Sequence, residues 1–138
     1  MTFRSAFLAT AAALALVSSA FAGLVRTGEI PPAPASQDFI SDFARFLSPD
    51  AKSRIAQAQK TAFETYNTPI IVVTINRMSD YGAVGVSIED FARQWFNKWR
   101  IGTLDAKEAG ANKGIILLVS RDARRARIAL GADWGRAW

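Results

Sequence analysis

The order of apolar and polar positions predicts five elements. From Ala51 to Tyr66 the apolar positions Ala51, Ile55, Ala58, Ala62 and Tyr66 recur in steps of three and four, with Phe63 widening the stripe. That period belongs to an amphipathic helix laid on something flat. Ser48-Pro49-Asp50 opens it: a hydroxyl to cap a free N–H, a ring suited to the first position and an acid at the positive end of the dipole. Asn67-Thr68-Pro69 closes it, because Pro69 cannot continue a helix and biases Thr68 towards extended backbone. Residues 70–75, IIVVTI, are β-branched and apolar at nearly every position, as in a central strand covered on both faces. A loop with Gly82 and Gly85 follows. Ser87, with Asp90 three residues on, opens a second helix whose Ile88, Phe91, Ala92, Trp95, Phe96 and Trp99 form one broad aromatic face destined for the core.

After Gly102 the segment TLDAKEAGANKG reads as a polar loop, and residues 115–119 as a second continuous apolar strand. Residues 121–124 read as a turn. Beyond it Arg125, Arg127 and Ala129 alternate with Ala126, Ile128 and Leu130, which predicts a strand with one wet and one dry face. Two strands joined by so short a turn form an antiparallel hairpin. The order helix, strand, helix, strand, strand predicts an α/β fold with a mixed sheet, a parallel central pair plus an antiparallel hairpin. Upstream, QDFISDFARFL places Phe39, Ile40, Phe43, Phe46 and Leu47 at helical spacing, which predicts a short helix or tight turn burying one face.

The first 22 residues read differently. Arg4 supplies a positive charge, residues 6–17 (AFLATAAALALV) are apolar and helix-favouring, and Ala20-Phe21-Ala22 presents small residues where a signal peptidase reads. The expectation is a secretory signal peptide cleaved before Gly23, and an exported, periplasmic or otherwise extracytoplasmic protein. A membrane anchor needs about 20 apolar residues, and this stretch is shorter and runs into Ser18-Ser19. No Cys follows it to carry a lipid. Residues 23–36 hold three prolines and read as an extended linker. Of 138 residues, 116 remain after the leader, enough for one domain spanning 37–138. Loss of Arg4 takes the formal charge from +5 to +4.

Composition narrows the chemistry. The chain has no Cys and no His, so disulfides, thiolate nucleophiles, Ser-His-Asp catalysis, histidine phosphorelay and imidazole metal sites are excluded. A charge of +4 without interleaved aromatic and basic positions gives no case for nucleic acid.

From Asp42 to Trp138 the chain resembles the TPM domain family, the thylakoid acid phosphatase-like domain. The resemblance rests on an ordered set: Asp42-Phe43-Ala44 with Leu47-Ser48, the strand at 70–75, Ser87-Ile88-Glu89-Asp90-Phe91-Ala92, Trp99-Arg100-Ile101-Gly102, the run 112–120 (NKGIILLVS), and Arg124 to Ile128 ending in Gly131. It implies a Rossmann-like α/β/α sandwich, and an extended or irregular segment around Asp42 in place of a helix. It also implies further helical structure beyond the glycine matching Gly131, so the expectation is that the C-terminal part is missing here.

Some members of that family are proposed acid phosphatases, and some are proposed to bind a divalent metal, calcium or magnesium, through acidic side chains. A hard cation wants several converging oxygens. Asp50 and Asp90 are explained by capping, and Glu64, Asp80 and Glu108 as solvated charges. Asp42, Asn112, Asp122 and Asp133 remain as candidate metal ligands, because they flank predicted strand ends, where open α/β sheets place ligands. Ala111 and Ala129 stand where the family often has acids. Arg121, Arg124, Arg125 and Arg127 offer positive charge to an anionic surface or to a phosphoryl group, or simply keep an edge strand soluble. The leading expectation is a non-catalytic accessory protein of the cell envelope that binds a membrane protein or an anionic membrane surface and assists its assembly or turnover. The alternative is a metal-dependent acid phosphatase.

Overall fold

The computed structural model describes residues 28–35, 38–102 and 112–134. Strand β1 (Ile40–Asp42), helix α1 (Pro49–Tyr66), strand β2 (Ile70–Ile75), helix α2 (Ile88–Lys98), strand β3 (Ile115–Ser120) and strand β4 (Arg125–Leu130) follow in chain order. Short 3₁₀ turns lie at Met78–Tyr81 and Ala132–Trp134. The four strands form one sheet in the order β1-β2-β3-β4. The first three run parallel and β4 runs antiparallel to β3. The mixed α/β sheet expected from the element order is therefore present, with one parallel strand more than the pattern announced.

That extra strand replaces the short helix expected in QDFISDFARFL, while the alternative, a tight turn, follows it, with Arg45 N donating to Asp42 O at 3.1 Å. Ile40, Ser41 and Asp42 pair with Val72, Val73 and Thr74. The chain then turns through Arg45, whose φ of 51° lies in the left-handed region. Phe43 and Phe46, expected on a buried face, are 40% and 44% exposed. Three residues are too few for a strand's alternation to stand out against the chance helical spacing of the phenylalanines. The extended course implied by the family resemblance is what the segment adopts.

Helix α1 starts and stops where its signals stand. Ser48 Oγ accepts from Ala51 N at 3.1 Å, and Asn67 takes a left-handed φ of 49° as C-cap. Its packing differs from the simple stripe. The buried residue is Gln59, whose amide donates to the carbonyls of Phe39 (2.8 Å) and Ile70 (2.9 Å). It thereby satisfies two backbone acceptors at the start of the sheet. Ala58 and Tyr66 are exposed, and Ala51, Ile55 and Ala62 are half-buried.

Helix α2 carries the core. Ser87 caps it through Asp90 N (3.1 Å). Ile88, Phe91, Ala92, Trp95, Phe96 and Trp99 pack on Ile71, Val73, Ile75, Ile116 and Leu118. Trp95 is fully buried and its ring meets Phe91, Trp99 and Tyr81 at centroid distances of 5.6, 5.5 and 5.2 Å. The helices lie on opposite faces: Lys52 of α1 reaches Asp42, which shares its face with Thr74, whereas α2 covers the alternate residues of β2 and β3.

The two inner strands are not equivalent. From Ile71 onward β2 is buried on both faces, as expected, but β3 alternates between buried and half-buried. On β4 the expected dry face, Ala126, Ile128 and Leu130, is exposed, with Ile128 at 55% and Leu130 at 47%. The α2 side of β4 carries Arg125, Arg127 and Ala129, opposite Ser120, Leu118 and Ile116. Alternation does not tell which face a neighbouring helix will cover, and here α2 covers the face with the arginines.

Part of the expected linker is folded. Gly28 N donates to Asp80 O (2.9 Å), Ile30 is buried, and Pro31 O accepts from Trp99 Nε1 at 2.7 Å. The expected signal peptide (1–22), most of the loop after Gly102, and residues 135–138 lie outside the described residues. Among those described, no helix is long and apolar enough to cross a membrane.

Trp95 Nε1 is buried without a hydrogen-bond partner among the described residues, so its indole contributes chiefly packing. Trp95→Ala is expected to destabilise the fold by about 3–5 kcal/mol. Trp95→Phe is expected to lose less than half as much, because it keeps most of the ring and removes the unpartnered N–H. Urea unfolding of the two variants measures this, and equal losses would refute it.

Candidate functional site

Asp42 stands at the C-terminal end of β1, where the sheet stops and the chain turns under the start of α1. Its side chain is 5% exposed. Oδ1 accepts from Thr74 Oγ1 at 2.5 Å and from Phe46 N at 3.3 Å. Oδ2 accepts from Leu47 N at 3.2 Å and from Lys52 Nζ at 3.0 Å. Burial alone would raise the carboxyl's pKa. The hydrogen bonds from Thr74, Lys52, Phe46 N and Leu47 N outweigh it and hold the group below its ordinary 3.8. The carboxylate is thus an internal latch that joins β1, β2, the 43–47 turn and the first turn of α1.

Asp122 lies at the same end of the sheet, in the β3–β4 turn. Its Oδ2 accepts from Arg77 Nε at 2.7 Å, and its N–H donates to Asn76 O at 3.0 Å. Together these tie the turn to the loop after β2. Both side chains are substantially exposed, so the ion pair adds little stability and chiefly sets orientation.

Asn112 and Asp133 lie at the opposite end, where β3 begins and β4 ends. Asp133 Oδ2 accepts from Asn112 N (3.2 Å), and Asp133 N donates to Asn112 O (3.4 Å). Trp134 Nε1 donates to Lys113 O at 2.8 Å. Gly131 is required here, because a Cβ would overlap Asn112 O and Oδ1.

The four candidate ligands are therefore split in two pairs across the length of the strands. Asp42 and Asp122 share an end, each with its own cationic partner, and Asn112 and Asp133 bond to each other at the far end. Among the described residues no three acidic side chains converge on one point. A calcium or magnesium ion at Asp42 would have to displace the Lys52 ammonium, and the other acid lining that cleft, Asp38, lies four positions back along the chain. This donor set does not fit a hard cation.

Sequence reasoning missed Thr74 and Lys52, the two side chains that complete the Asp42 latch. One signal was present: Thr74 is the single hydroxyl in an otherwise apolar strand, and a buried hydroxyl needs a partner.

The arginines divide as well. Arg121 and Arg124 occupy the turn, whereas Arg125 and Arg127 stand on the α2 side of β4, all exposed. Arg127 lines a cleft of about 310 Å³ with Arg93, Asn97 and Asn112.

These features define an α/β/α domain built on a four-stranded mixed sheet, with a carboxylate latch at the end of its first strand. The TPM domain family model matches residues 40–137, and the chain belongs to that family. Among solved structures, the chain is similar to the solution NMR structure of the N-terminal domain of a protein from P. gingivalis, with a TM-score of 0.57 and 22% identity. The match covers 71% of this chain and 56% of that one, so the chain spans little more than half the length of that relative. At that identity the likeness shows the fold alone. Comparison with curated proteins gave no match.

Asp42→Asn is expected to lower stability by about 2–3 kcal/mol near neutral pH, the worth of a charge-assisted hydrogen bond and its buried donors. A carboxyl whose folded pKa lies below 3.8 stabilises fully above that value and loses the contribution as pH falls through the folded value. The gap between wild type and Asp42→Asn should therefore close on acidification. Denaturant unfolding at neutral and acid pH tests this; a gap that persists in acid would refute it.

Proposed function

We propose that this TPM domain is a non-catalytic accessory module of the cell envelope, exported by its leader, that binds a membrane protein or an anionic membrane surface and assists its assembly or turnover. One observation carries the reading. The best-buried candidate acid, Asp42, is spent on holding the fold, while the β3–β4 hairpin presents exposed Ile128, Leu130 and four exposed arginines. A surface of that kind favours binding over turnover of a small substrate.

Phosphoryl transfer needs a nucleophile or activated water together with positive charge aimed at the phosphoryl oxygens. Arginines could supply the charge. The carboxylates that would supply the rest are paired with Lys52 and Arg77, which supports the accessory reading over metal-dependent phosphatase chemistry.

The purified chain is expected to release no phosphate from p-nitrophenyl phosphate above buffer, with magnesium, with calcium or with chelator. Hydrolysis that disappears in Asp122→Asn would reject the proposal in favour of a phosphatase. Export is tested separately by sequencing the amino terminus of the protein from its source, with Gly23 as the expected first residue.

A further inference from the structure

The C-terminal ends of β1, β2 and β3 finish level with one another. Asp42 pairs with Thr74, and Thr74 with Val119, so three connections leave the sheet side by side: the 43–47 turn, the loop of residues 76–87 and the 121–124 turn. Neighbouring strands stand about 5 Å apart, which spreads this rim over roughly 10–15 Å. Its connections are tied to the sheet and to one another. Ala44 N donates to Thr74 O (3.1 Å), Arg121 N to Ile75 O (2.9 Å) and Asp122 N to Asn76 O (3.0 Å), and Arg77 pairs with Asp122. The rim is therefore a preset surface. Asp38, Gly102, Asn112 and Trp134, next to segments outside the described residues, stand towards the other end of the strands. Gly28 enters beside the rim, its N–H on Asp80 O.

The side chains on this rim combine exposed apolar groups with positive charge. Phe43, Phe46 and Val84 are 40%, 44% and 79% exposed. Arg45, Arg121 and Arg124 are exposed on the same turns, and none of the three has an ion-pair partner among the described residues. Of the acids at this end, Asp42 is held by Lys52 and Asp122 by Arg77, while Asp50, Glu89 and Asp90 lie on the positive first turns of α1 and α2. That leaves Asp80 to set against three arginines. The backbone adds a second sign. Arg45 and Arg124 hold φ of 51° and 50°, in the left-handed region where glycine or asparagine costs less. Both outer turns thus keep an arginine where the backbone favours a residue without its side chain, which points to a use for the guanidinium itself.

We infer that this rim is the surface by which the domain sits on an anionic bilayer: Phe43, Phe46 and Val84 enter the boundary between headgroups and acyl chains, and Arg45, Arg121 and Arg124 meet lipid phosphates. Apolar side chains flanked by basic ones are the composition of an interfacial contact, and the guanidinium fork matches phosphate oxygens. The three apolar groups come from two separate connections with arginines beside them. A partner helix buries one continuous apolar stripe instead. A second copy meeting rim to rim would set arginine against arginine. Connectivity agrees with a bilayer: only residues 23–27 separate Gly28 from the expected cleavage site, so before the leader is removed this is the end tied closest to the membrane.

The inference names the membrane contact of the accessory reading and rests on that reading. Its test reads vesicle binding and not hydrolysis, so the two can fail separately. The exported form beginning at Gly23 should sediment with vesicles of phosphatidylglycerol and phosphatidylcholine at least tenfold more tightly than with phosphatidylcholine alone, and the difference should shrink as salt rises. Phe46→Ser with Val84→Ser should weaken binding at least tenfold. Arg45→Gly with Arg124→Gly should do the same while leaving the thermal midpoint no lower than wild type, because glycine is at ease at those φ values. A merely structural role for the two arginines would lower the midpoint and spare the binding. In bicelles carrying a paramagnetic headgroup lipid, the amides of residues 43–46, 83–85 and 121–124 should broaden first. Equal binding to both vesicles, binding to neither, broadening centred on Ile128 and Leu130, or wild-type binding by either double variant overturns the inference. Binding to neither would leave the accessory reading with a membrane protein as its partner.

Discussion

The parallel pairing of β2 with β3 sets the terms for everything around it. Two apolar strands joined along six residues present two apolar faces, and neither can be left to water without losing the stabilisation that burial supplies. Helix α2, helped by Ile30, Ala83, Ile101 and Tyr81, buries one face under its aromatic side. Helix α1 is amphipathic but small-faced, with alanines at most of its apolar positions, and it reaches only the β1–β2 half of the other. The asymmetry between a wide aromatic helix and a narrow alanine helix explains why β2 is buried on both sides and β3 on one.

The same asymmetry accounts for the work given to Asp42. A three-residue edge strand has little to hold it, and α1 brings few large side chains to the contact. The carboxylate supplies what packing does not, collecting two backbone donors, one hydroxyl and one ammonium while itself nearly buried. Gln59 does the matching task at the other end of β1. The edge of the sheet is thus secured by polar groups at both ends, with the phenylalanine pair Phe39–Phe63 (centroids 5.8 Å apart) between strand and helix.

Much of this was legible in the residues. Caps and stops around α1 and α2, the two apolar runs and the hairpin turn are local signals, and each fixes backbone within a few residues of itself. What escaped the pattern was relational. The short strand at 40–42 exists only because β2 offers it an edge, and Thr74 and Lys52 matter only because Asp42 lies opposite. Which side of β4 turns towards α2 depends on the register with β3, which alternation cannot supply. The candidate acids were chosen for standing near strand ends, and they do; their spread over both ends follows from strand direction, which the sequence states only through topology. The arginines were correctly placed on an exposed hairpin, yet the turn and the strand send them to different sides.

The indole of Trp99 gives the molecule a boundary of its own. Its hydrogen bond to Pro31 O spans 68 positions along the chain, Ile30 joins the same core, and Gly28 N donates to Asp80 O. Similarity to the family begins only at residue 40, so the recognisable sequence and the physical body do not start together. A fragment cut at the point where kinship becomes visible would unseat a piece of the core and leave an indole N–H bare. Among the described residues, those packed into the core reach back to Ile30, ten positions ahead of the family match.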